Sequence, residues 1–99
     1  MHAWKVVIPP ERGEPQLRTH EGYEWLHVLS GTMRLVLEGH DVTLEAGEVV
    51  EFDTSIPHWF GAAGGQTVEV LSLLRRPGER MPVRTATRRS VRTGLRAGR

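Results

Sequence analysis

From residue 3 to residue 74 the chain is a succession of short apolar stretches broken by turn residues. Residues 3–8 (AWKVVI) are rich in β-branched and aromatic side chains and stop at Pro9-Pro10. Residues 11–15 then carry the Gly and Pro of a loop. Residues 23–29 form a second stretch and residues 33–37 a third, in which Met33, Leu35 and Leu37 alternate with Arg34, Val36 and Glu38. That period of two predicts strands, and the Ser30-Gly31 step between them predicts a hairpin. Further turns at Gly39-His40-Asp41, Glu45-Ala46-Gly47 and residues 54–57 separate strands expected at 42–44, 48–52 and 58–60, and a last strand is expected over 67–74. No stretch of about 11 residues keeps a helical period, so the pattern predicts an all-β domain, an antiparallel sandwich or small barrel.

Within residues 23–29 the alternation puts Glu24, Leu26 and Val28 on one face and Tyr23, Trp25, His27 and Leu29 on the other. Both faces are largely apolar, which predicts cover on both sides: a second sheet on one, another segment or subunit on the other. A homodimer is the expectation that follows. Trp4, Trp25 and His27 are assigned to packing. Glu24 is the exception on its face, because a carboxylate beside Leu26 and Val28 is costly to bury without a cation, a donor or water.

Ninety-nine residues make one domain at most, and a chain this short gains from a closed core or a partner. There is no cysteine, so any metal must be held by His, Asp or Glu. The chain has no apolar run of membrane-spanning length, and its start lacks a signal-peptide pattern. The expectation is a cytoplasmic protein without a membrane partner.

The net charge of +1 hides an asymmetry. Residues 75–99 hold nine arginines against the single acid Glu79, so this extension is net +8 and the body before it net −7. Such a composition predicts a solvated, flexible tail, set apart from a folded domain over residues 1–74. It contains no aromatic residue to stack on bases, and direct nucleic-acid binding by the chain is not expected.

Two spacings carry the candidate chemistry. His20 precedes Glu24 by four residues and Glu24 precedes Gly31 by seven, while Gly47 precedes His58 by eleven. These spacings resemble the two motifs of the cupins: H-x-H, three or four residues, E, six residues, G; then G, five residues, P-x-G, two residues, H, three residues, N. Arg18 stands where the first histidine of the first motif would be, and Asp53, Ser55 and Ala62 replace the P, G and N of the second. The resemblance implies a double-stranded β-helix, or jelly-roll, barrel and a metal site of three side chains, His20, Glu24 and His58. Two imidazoles and one carboxylate suit a divalent transition ion, Fe(II), Mn(II), Zn(II) or Ni(II), and leave positions open. Alternatively, Arg18 pairs with Glu24, or with an anionic ligand through its fork of donors, and no metal is needed.

The wording from residue 19 to residue 65 further resembles the cupin domain that follows a helix-turn-helix domain in one class of bacterial transcription regulators. That resemblance implies a ligand-sensing domain, free-standing or part of a longer regulator, binding a small molecule with Arg18, Trp59 and Phe60 as pocket residues. The alternative is a small metal-dependent enzyme of oxygenase or isomerase type built on the same three ligands. No separate group poised for proton transfer is evident in the sequence, since Tyr23 alternates outward and Asp53 falls in a turn.

Overall fold

A computed structural model describes residues 2–11 and 13–77. Seven strands follow one another: β1 His2–Ile8, β2 Tyr23–Ser30, β3 Thr32–Leu37, β4 His40–Glu45, β5 Val49–Asp53, β6 His58–Ala62 and β7 Val68–Arg75. Each expected strand is present within two residues at either end, and no helix occurs among the described residues. The basic extension expected over 75–99 lies outside the described residues from residue 78 onward, while Arg75 closes β7.

The strands make two small antiparallel sheets, one in the order β1-β7-β2-β5 and one in the order β4-β3-β6. Among the described strands the ladders stop at the edges of each sheet and do not close a barrel. Leu26, Val28, Val50, Phe52, Val68 and Val70 of the larger sheet meet Met33, Leu35, Leu37 and Leu44 of the smaller one in a single core. Full burial of each such side chain contributes roughly 1.5–3 kcal/mol.

The hairpin expected between residues 23–29 and 33–37 does not form. β2 pairs with β5 and β7, and β3 with β4 and β6, so the two strands belong to opposite sheets. An alternating pattern records which face of a strand is buried but not whether the next strand lies beside it or across the core. Gly31 makes the crossing possible. Its φ is 81°, and an added Cβ would stand 2.6 Å from the Thr67 carbonyl oxygen, so only glycine fits this corner.

The two-sided burial expected of β2 is present. Trp25, only 2% exposed, packs with Val49 and Leu73 on the face turned away from the main core, with Leu71 against them. His27 belongs to this outer face, half-buried, its ring 5.7 Å from that of Trp25 and edge-on to it. Trp4 departs from its assignment to packing: it is 49% exposed and lies against the His2 ring. The reason is position, since among the described strands β1 is an edge strand paired only with β7.

Candidate metal centre

The site forms where the segment before β2 runs alongside the start of β6. Arg18 and His58 form an isolated antiparallel bridge, the N–H of each donating to the carbonyl of the other at 3.0 Å. Two residues on, the N–H of His20 donates to the Thr54 carbonyl at 3.0 Å, and the Thr54 N–H donates to that of Gly22. Residues directly opposite across an antiparallel bridge, and residues two apart along a strand, project to the same face. Arg18, His20 and His58 therefore share one face. The imidazoles of His20 and His58 meet edge to face with ring centroids 5.1 Å apart.

Glu24 comes to the same place from β2. One coordinating atom from each of His20, Glu24 and His58 can be chosen so that all three lie within 4.8 Å of one another. His20 is exposed, whereas Glu24 and His58 are buried. The three lie in a cavity of about 390 Å³, lined also by Ile8, Glu11 and Arg18 and by Trp59 and Phe60. The structure thus brings all six sequence-predicted site residues to one cavity. They do not play one part, however. Phe60 follows His58 by two on the inner face, whereas Trp59 alternates outward, its ring close over Gly61 and 5.9 Å from the Arg34 guanidinium.

Local bonding prepares the ligands for a cation. The Nδ1–H of His58 donates to the Ile56 carbonyl at 2.9 Å; a carbonyl can only accept, so the proton is on Nδ1 and the Nε2 lone pair is left available. Burial pushes the His58 imidazolium below its ordinary value of 6.5, against the opposing pull of the Ile56 carbonyl and Glu24, while the charges of His20 and Arg18 push the same way as burial. Oε2 of Glu24 accepts a hydrogen bond of 2.7 Å from the buried Ser72 hydroxyl, which leaves its second oxygen for another partner. No ion pair joins Arg18 to Glu24 among the described residues, so the metal-free alternative in which those two neutralise each other is not the arrangement observed. A neutral imidazole with a free lone pair, a second imidazole beside it and a half-satisfied buried carboxylate fit a divalent transition ion.

The sequence patterns missed Ser72 and Ile56, which hold Glu24 and His58, and the contributions of Ile8 and Glu11 to the wall. Ser72 had a signal: it is the one polar residue among Val68, Val70 and Leu74 on its face of β7. The Ile56 contact is made by a backbone atom and leaves no trace in residue identities.

Residues 4–74 match the model of the cupin domain. The chain belongs to the cupin family. Among solved structures, the cupin resembles the Cupin_2 domain of an XRE family transcriptional regulator from Enterobacter cloacae at 26% identity and a TM-score of 0.65, over 76% of this chain and 80% of that one. An HTH_3 family transcriptional regulator from Vibrio cholerae shares the fold at 19% identity and a TM-score of 0.65, over 76% of this chain and 42% of that one. Hydroxypropylphosphonic acid epoxidase from S. wedmorenis, in complex with fosfomycin, shares it at 20% identity and a TM-score of 0.65, over 74% of this chain and 42% of that one. No curated protein matches the chain. This cupin is thus homologous to the cupin domain of an XRE family regulator, shares its fold with the HTH_3 family regulator, and carries a His20, Glu24, His58 cluster positioned to coordinate a divalent metal ion. Among the described residues no helix is long and apolar enough to cross a membrane.

Proposed function

We propose that this cupin is a small metal-dependent enzyme, of oxygenase or isomerase type, whose ion is held by His20, Glu24 and His58. The observation that carries the proposal is the convergence of those three ligands, within 4.8 Å of one another, at the wall of a cavity large enough for a small metabolite. Three protein ligands leave positions open, and an ion bound there would supply Lewis-acid or oxygen-activating chemistry. The chain's own residues do the rest. Ser72 fixes the Glu24 carboxylate, the Ile56 carbonyl fixes the His58 tautomer, and Ile8 and Phe60 supply apolar wall.

A test combines metal analysis with turnover. The protein loaded with Fe(II) or Mn(II) is expected to bind one ion per chain, a stoichiometry lost in His58→Ala and Glu24→Gln, and to consume oxygen or isomerise a member of a small-carboxylate panel. Equal and near-zero metal in all three proteins would sink the metal site, and full metal with no turnover would sink the enzyme.

The second interpretation, a ligand-sensing domain, is favoured by the likeness to the regulator cupin from Enterobacter cloacae, of which this chain covers 80%. It expects a saturable thermal shift with an unconverted ligand. In either case we place the folded unit at residues 1–74, with the basic extension outside it, and expect a homodimer, for which exposed Val7 and Leu29 on the outer side of the larger sheet offer apolar contacts. A monomer mass by light scattering at micromolar concentration would refute the dimer.

A further inference from the structure

We infer that the ligand of this cavity is a small carboxylate on an apolar body, its anionic head held between the Arg18 guanidinium and the ion at His20, Glu24 and His58. The inference rests on the metal site proposed above.

Arg18 is the first reason. Its reciprocal 3.0 Å backbone bonds with His58 make the two residues directly opposed, so the arginine side chain leaves the backbone on the face that carries the His58 imidazole. Its place at the cavity wall is thus set by the backbone, and the same bridge that positions a metal ligand positions the guanidinium. Arg18 forms no ion pair with Glu24 or Glu11 among the described residues, although all three line the cavity. Its planar fork of donors therefore remains available to a carboxylate.

Charge is the second reason. A divalent ion brings two positive charges and Arg18 one, while Glu24 returns one negative charge and Glu11, on the loop after β1, another. A monoanion neutralises the surplus that remains, whereas a neutral ligand leaves it in place and a cation adds to it. The third reason is the wall: Ile8 and Phe60 line the same cavity and suit an apolar body behind the charged head.

The test uses the full chain loaded with cobalt(II), whose visible absorption bands report ligands entering the metal's open positions. Wild type and Arg18→Gln are titrated with phenylacetate, with its neutral amide phenylacetamide, and with imidazole, a neutral ligand that needs no guanidinium. Both proteins are expected to take up cobalt and to bind imidazole equally. Phenylacetate is expected to bind wild type more tightly than phenylacetamide, and to lose about ten- to a hundredfold in affinity in Arg18→Gln, as expected of a charged hydrogen-bonding partner. Arg18→Lys is expected to restore part of the loss, because it keeps the charge without the fork. Equal phenylacetate affinity in wild type and Arg18→Gln, or no preference of wild type for the acid over the amide, overturns the inference and leaves the metal site standing. Failure of wild type to bind cobalt overturns both.

Discussion

The Ser72 hydroxyl donates a 2.7 Å hydrogen bond to Oε2 of Glu24, joining two buried polar groups that are 48 residues apart in the chain. The pair links the two middle strands of the larger sheet and orients a carboxylate that would otherwise sit unsupported beside Leu26 and Val28. Ser72→Ala is expected to weaken metal binding by about 10- to 100-fold, the usual consequence of losing an outer partner of a ligand. In metal-free protein it should cost about 1.5–3 kcal/mol, the range for a hydrogen bond to a charged group. Isothermal titration with Zn(II) and urea unfolding measure the two effects. Unchanged metal affinity would show that Glu24 needs no orientation.

His58 gives the metal-free protein a dependence on pH whose direction follows from its burial. Its native pKa is depressed below 6.5 chiefly by desolvation, so on acidification the unfolded chain takes up the proton first. The stability that a neutral His58 contributes is complete above about pH 6.5 and is lost as pH falls from there through the lower native value. Urea midpoints of metal-free wild type are expected to drop between pH 7.5 and pH 5.5 by more than those of His58→Gln. Parallel slopes for the two proteins would remove His58 as the cause.

Gly31 forms the corner at which the chain crosses between the sheets. With φ at 81° and the Thr67 carbonyl oxygen and Val68 Cα standing 2.6 and 3.0 Å from where a Cβ would be, alanine meets backbone that cannot rotate away. Gly31→Ala is expected to destabilise the fold by about 1–3 kcal/mol. The check is the urea midpoint at constant slope, and a loss below about 0.5 kcal/mol would mean that the corner relaxes freely.

The strands were legible because each is short and set off by Gly or Pro, and because strands such as β3 are buried on alternate residues, at Met33, Leu35 and Leu37. The ligand set was legible because His20, Glu24 and His58 stand at motif spacing, and the motif encodes which strands approach. What was illegible is long-range or made by backbone. Nothing local says that Tyr23–Ser30 pairs with Val68–Arg75 rather than with its neighbour, or that β1 brings Ile8 and Glu11 back to the cavity. Arg18 lies between these cases. Its identity breaks the motif in the sequence, and only its bridge to His58 shows that the substitution keeps a side chain aimed at the site.

Glu24→Gln separates the cost of the site from its use. In metal-free protein the change removes a buried charge while keeping an oxygen that can accept from Ser72, so stability should equal or exceed that of wild type. With metal the order reverses. At a free ion concentration of about 100 times Kd, wild type gains about 2.7 kcal/mol of stability, on the order of 10–20 °C for a domain of this size, because the ion binds the native state alone. The glutamine variant, lacking the carboxylate that offsets the ion's charge, is expected to gain little. Thermal melts of both proteins with and without Zn(II) should therefore cross: the variant at or above wild type in chelator, and well below it in metal. Parallel shifts in the two proteins would show that the ion binds elsewhere and that Glu24 is a buried structural acid held by Ser72.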